Sequence, residues 1–181
     1  LTQSGRALFV GNRRDYAPRP IVQAALDAGC GVEVWGRGWE EIVPDDCYSG
    51  IHIENTELPR YYGTASVLLN DHVDDMRREG FVSNRVYDGL ACATLVLTEE
   101  MPGIPEDLRP HLSLYESFDE AGAKAAVMLT HRDADRDTRL ATAEHVRRNH
   151  SFDSRITMIA AVITDLFALA LTGPTQDPNA H

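Results

Sequence analysis

Lysine is almost missing from this chain: Lys124 is the single lysine among 17 basic residues, and every other basic position is arginine. With 28 acidic residues the formal charge is -11. That balance excludes a nucleic-acid duplex or an anionic membrane as the main partner, because either needs a broad positive face. Cysteine is scarce and odd in number. Cys30, Cys47 and Cys92 form no paired framework and lack the spacing of a zinc site, so they read as buried or partly buried free thiols in a reducing compartment, and a cytoplasmic location is expected. No apolar run approaches the roughly 20 residues of a membrane span. The opening Leu1-Thr2-Gln3-Ser4-Gly5 is no signal peptide, and its lack of an initiator Met hints at a fragment of a longer protein. Also missing are a nucleophile elbow, a Walker loop, a full Gly-x-Gly-x-x-Gly, internal repeats and low-complexity tracts.

What is present is alternation. At 181 residues the chain suits one compact domain. Unbroken apolar runs predict strands at 6–11, 32–35, 66–70, 95–97 and 112–115, with a weaker signal at 51–53. Between them, apolar residues at helical spacing predict helices at 20–28, 57–65, 83–92 and 118–130, followed by 138–148 and 153–171. Such a pattern implies a Rossmann-like, doubly wound α/β fold with a mostly parallel sheet and helices on both faces. The domain is expected to run from 1 to 171, with 172–181 a disordered tail rich in Gly, Pro, Asn and Gln. Ile156, Ile159, Ala160, Ile163, Phe167 and Ala170 make the last helix apolar over most of its circumference, so it wants cover on more than one side.

Ligands of a doubly wound sheet bind beyond the carboxyl ends of the strands, where strand order reverses, and in the commonest order that crevice separates the first strand from the fourth. Seven arginines fall in loops at that rim: Arg13, Arg14 and Arg19 with Asn12 after the first strand, Arg37 after the second, and Arg77, Arg78 and Arg85 after the fourth. A diphosphate is the natural guest, although arginine is the default basic residue throughout. Ser83, Asn84 and Arg85 open the helix after the fourth strand. Ser83 suits an N-cap, the unpaired amides and helix dipole favour a phosphate oxygen, and Arg85 has the fork to grip it. Asp88, one turn on, is placed either to hold a ribose diol or to pair with Arg85. His72 suits either a sugar contact and proton donor or a hydrogen-bonding scaffold residue. Asp71, Asp74, Asp75 and His72 have a metal-like composition without the ligand ladder of a cation loop, and no metal is expected.

These residues also carry a resemblance. Glu79-Gly80-Phe81 followed by Asp88-Gly-Leu-Ala-Cys-Ala-Thr-Leu-Val-Leu97 is similar to the donor-site segment of retaining GT-B glycosyltransferases of the group 1 type. More closely, Phe9-Val-Gly-Asn-Arg-Arg14, Trp35-Gly-Arg-Gly-Trp39, Leu69-Asn-Asp-His72, Asp75-Met-Arg77, Gly80-Phe-Val-Ser-Asn-Arg-Val-Tyr-Asp88 and Asn149-His-Ser-Phe-Asp-Ser-Arg155 resemble the C-terminal domain of CgeB-type glycosyltransferases. The resemblance implies the donor-binding half of an enzyme that moves a sugar from a nucleoside diphosphate sugar without a metal or other cofactor. Asp88 would take the ribose. Asn12, Arg13, Arg14, Arg37, Ser83, Asn84 and Arg85 would surround the nucleotide, and Glu79 with Gly80 and Phe81 the donor sugar, Glu79 and His72 being the catalytic candidates. The base would lie near the loops after the middle strands. An N-terminal acceptor domain would complete the cleft, with a homodimer through residues 156–171 as another way to cover the last helix; the isolated fragment would bind and not turn over. In this sequence the acidic pair is Glu79 and Asp88, Ala93 stands at the usual Gly and Leu95 at the usual Pro. A non-catalytic nucleotide-binding module and a purely structural α/β domain remain the alternatives.

Overall fold

The computed structural model describes residues 5–13, 19–130 and 136–171. Six short strands form one fully parallel sheet in the order β3-β2-β1-β4-β5-β6, where β1 is Ala7–Val10, β2 Val32–Trp35, β3 Tyr48–Gly50, β4 Val67–Asn70, β5 Val96–Glu99 and β6 Ser113–Tyr115. Neighbouring strands are hydrogen-bonded in register, as in Ala7 with both Val32 and Val67. Strand order reverses between β1 and β4, the expected switch point.

Helices α1 (Pro20–Asp27) and α5 (Phe118–Thr130) pack together against the sheet, burying Ile21, Val22, Ala25, Ala121 and Ala125. Their closest approach is at Gly122, where a Cβ would stand 2.5 Å from the Ala24 carbonyl oxygen. Helices α2 (Leu58–Thr64) and α4 (Asn84–Ala91) pack together and contribute buried Tyr62, Val86 and Leu90. Gly89 of α4 meets Leu68 and Val96, so this helix lies close on the sheet. Fully buried β4 and β5 read as continuous apolar runs for that reason: both faces are covered.

Two expectations need correction. The edge strand lies at Tyr48–Gly50 and not at 51–53, because pairing with β2 runs through Tyr48 and Gly50 with a shift between Val34 and Trp35, and the chain then leaves the sheet. The charged stretch after β4, expected as loop, forms helix α3 (Asp74–Glu79). It buries no residue, so no apolar period announces it; Asp74 and Asp75 in its first turn and Arg77 and Arg78 in its last suit the helix dipole instead. Gly80 ends it with φ 71°, the left-handed conformation that glycine adopts at no steric cost.

Helix α6 (Arg136–Asn149) and helix α7 (Phe152–Leu171) end the described chain, which divides into compact units at residues 1–144 and 145–181. In the second unit Ser151 caps α7, its Oγ accepting from the Ser154 amide at 3.2 Å. The apolar side chains of α7 stay exposed, Ile156, Ile159, Leu166 and Phe167 among them. No described helix is long and apolar enough to cross a membrane. All three cysteines are free thiols, Cys30 and Cys47 buried and Cys92 partly so.

Candidate functional site

The carboxyl ends of β1, β2 and β3 surround a concavity of about 230 Å³, lined by Gly11, Asn12, Trp35, Gly36, His52 and Asn55 among others. Its floor is close backbone packing. A Cβ at Gly36 would meet the Gly11 carbonyl oxygen at 2.3 Å, so the loops after β1 and β2 touch main chain to main chain. Asn12 Oδ1 accepts from the Arg37 amide at 2.9 Å, and the Arg13 amide donates to the Arg37 carbonyl at 3.0 Å. Buried Trp39 donates its indole N–H to the Gly11 carbonyl at 2.8 Å and packs edge-on against Phe9. The Arg37 side chain is exposed beside this floor, while Arg13 reaches the Gly38 carbonyl and lies over the Trp39 ring. Arg14 lies outside the described residues.

At the switch point itself the guanidinium of Arg85 donates to the carbonyls of Val10, at the end of β1, and Asp71, just past β4, at 3.0 and 3.2 Å, and to Ser83 Oγ at 3.2 Å. Arg19 forms a 2.8 Å ion pair with Asp71, and the guanidinium carbons of Arg19 and Arg85 stand 5.2 and 4.9 Å from the centre of the Phe9 ring. Burial, reinforced by the neighbouring Arg19 charge, pushes the Arg85 pKa down to about 10. Burial likewise raises Asp71, against the opposing pull of Arg19 and Arg85. Arg85, expected as a free phosphate clamp, is therefore first a tie between β1 and β4 that keeps its charge at neutral pH. Arg77 and Arg78 contribute less positive field than expected, because Arg77 is held by Glu99 and Asp74, and Arg78 by Asp75 and Glu79. The acidic residues that resembled a metal cluster thus have arginine partners.

Helix α4 begins as expected. Ser83 is its N-cap, with Oγ accepting from the Arg85 amide at 3.3 Å. Asn84 is exposed in the first turn, and Asp88 one turn later is exposed on a surface crowded enough that burial raises its carboxyl pKa. No Asp88–Arg85 ion pair forms among the described residues. Glu79 is exposed and joined to Arg78; Phe81 is 65 % exposed.

His72 departs from its expected catalytic role. It is 2 % exposed; its Nδ1 lies 2.9 Å from Glu99 Oε1 and its Nε2 accepts from the Ser83 amide at 3.0 Å. With both ring nitrogens engaged inside the protein, the imidazole has no atom left to offer a substrate. Glu99 is not among the residues that the sequence singles out, and Trp39 enters there only as the end of the Trp35–Trp39 motif. For Glu99 a signal existed: a carboxylate that ends an apolar strand points at the very edge where α/β sheets bind ligands.

A search of the curated proteins finds no significant match. Among solved structures, AviGT4, described as a glycosyltransferase involved in avilamycin A biosynthesis, is similar in fold, with a TM-score of 0.50 at 17 % identity over 82 % of this chain and 51 % of that one. This chain thus spans about half the length of that protein. The model of the glycosyl transferase-like family matches residues 13–161, which takes in the crevice loops from Arg13 onward, helix α4 and the start of α7. On that match, covering most of its length, the chain belongs to the glycosyl transferase-like family.

Proposed function

We propose that this chain is the donor-binding half of a metal-independent GT-B glycosyltransferase of the CgeB type, acting on a nucleoside diphosphate sugar. The observation that carries the reading is the concavity at the ends of β1–β3, beside the β1–β4 switch point, with its β2 and β3 sides inside the stretch matched by the family model. Its size and mixed lining, Trp35 beside Asn12, His52 and Asn55, suit a planar base with polar edges. Arg37, the amides of the β1 loop and the first turn of α4 are the groups proposed for the diphosphate, with Arg13 and Arg14 of the same loop. Asp88 is proposed for the ribose, and Glu79, Gly80 and Phe81 for the sugar.

In such a site the chain's task is to stabilise charge. As the bond from the sugar to the diphosphate breaks, negative charge grows on the departing phosphate oxygen. The buried positive charge of Arg85 and Arg19, half-compensated by Asp71, together with the α4 dipole, stabilises that charge as it develops, without moving. An acceptor-binding domain is the partner proposed for the exposed apolar side chains of α7, and the three free thiols support a reducing, cytoplasmic setting.

Calorimetric titration with UDP, GDP, ADP and TDP tests the reading. One diphosphate is expected to bind saturably and to weaken on Asp88→Ala. Binding of none would instead favour the structural module.

A further inference from the structure

Glu99 accepts three hydrogen bonds beside the crevice. Its Oε1 accepts from the His72 amide at 2.5 Å and from His72 Nδ1 at 2.9 Å, and its Oε2 accepts from Arg77 Nε at 2.7 Å. A carboxylate can only accept, so its hold on Nδ1 puts the imidazole proton there and leaves Nε2 with a lone pair. That lone pair receives the Ser83 N–H at 3.0 Å. Arg77 adds a bond from its other arm to the His72 carbonyl at 2.6 Å. Two residues separate Arg77 from Gly80, and one separates Phe81 from Ser83. The excursion carrying Glu79, Gly80 and Phe81 is therefore anchored on both flanks to one carboxylate on β5. Gly80 is held a third way, since a Cβ on Gly103 would stand 1.9 Å from its carbonyl oxygen.

We infer that Glu99 is a positioning residue for the transfer reaction: by fixing the Nδ1–H tautomer of His72 it aims the capped start of α4 and the 79–81 loop at the diphosphate and sugar. This rests on the donor-site reading for its purpose. The geometry it asserts does not. Preorganised donors of this kind matter most where charge develops, and a relay through a buried imidazole ties their placement to a rigid strand and not to a loop.

Three readouts test it on the 181-residue chain. Long-range proton–nitrogen spectra of histidine-labelled protein, with His72 assigned by its loss in His72→Gln, are expected to show a neutral ring protonated at Nδ1; a ring protonated at Nε2 overturns the proposal. Amide exchange at Ser83 and Gly80 is expected to quicken about tenfold in Glu99→Gln, the equivalent of one ordinary hydrogen bond, while Leu8 and Phe9 of β1 keep their protection. Unchanged exchange at Ser83 overturns it, and so does an equal rise in β1, which marks a general loss of stability. Finally, Glu99→Gln is expected to weaken the nucleoside diphosphate that binds the wild type about tenfold and the matching monophosphate far less. If the wild type binds a diphosphate and Glu99→Gln binds it equally, the positioning role fails and the donor reading stands. If the wild type binds none, the donor reading fails, and the role of Glu99 at the transfer site fails with it even where tautomer and exchange agree.

Discussion

Arg19 and Asp71 meet at 2.8 Å with side chains only 8 % and 3 % exposed, one from the residue before α1 and the other from the residue after β4. The pair closes the crevice between the two strands at which the sheet reverses. A charge pair so far from water has lost hydration that its own attraction only partly restores, so its worth shows when one partner is removed.

Removing either partner should therefore cost much more than removing both. Arg19→Met and Asp71→Leu, each alone, are expected to lower stability by about 3–5 kcal/mol, since each strands a buried charge, while the double variant recovers a large share. Urea unfolding of the four proteins measures this cycle. Additive losses would contradict it.

The two buried acids give opposite pH dependences. Burial would raise Glu99, but hydrogen bonds from His72 and Arg77 hold it below the ordinary range, whereas Asp71 is raised by burial. From the folded Glu99 pKa up to the unfolded value of about 4.3, the unfolded chain binds more protons, so this acid adds stability as pH rises and loses it on acidification. From about 3.9 up to the folded Asp71 pKa the folded chain binds more protons, and stability falls as pH rises. Glu99→Gln is expected to flatten the acid limb of the stability curve and Asp71→Asn to steepen it. Denaturant midpoints between about pH 3 and pH 6 give both slopes.

Two glycines separate fold from site. Gly122→Ala drives a methyl group against the Ala24 carbonyl between α1 and α5, away from the crevice, and is expected to cost about 1–3 kcal/mol without changing nucleotide affinity. Gly103→Ala pushes instead on the Gly80 carbonyl and is expected to weaken binding as well. Melting curves with and without the nucleoside diphosphate distinguish the two: the ligand-induced shift persists in the first variant and shrinks in the second.

Arg37 and Arg85 should fail in different ways. Arg37 is exposed and its side chain holds no hydrogen-bond or ion-pair partner among the described residues, so Arg37→Ala is expected to weaken diphosphate binding, more so at low salt, and to leave stability within about 0.5 kcal/mol. Arg85→Ala unties Val10, Asp71 and Ser83 together and is expected to lower both stability and affinity. Equal stability of the two variants would contradict the tie between β1 and β4.

The alternation of apolar runs and helical periods determined the fold class by itself. Val67, Leu68 and Leu69, or Val96 and Leu97, have no arrangement as satisfactory as a strand covered on both faces, and that covering requires helices between parallel strands. Pro20 and Ser83 likewise mark helix starts through purely local chemistry. Elements with little burial, such as α3 and the edge strand β3, escape the apolar pattern because their order comes from charge pairs, a glycine cap and a neighbour's register, none of which leaves an apolar period. Side-chain roles at the crevice were legible only as a list of candidates. Whether Arg85 faces a ligand or the carbonyls of Val10 and Asp71, and whether His72 is exposed or locked between Glu99 and Ser83, depends on groups 11 to 75 residues away in the chain. The tertiary structure decided these, because a polar group in a buried place takes whichever partner the packing of distant segments brings within hydrogen-bond reach.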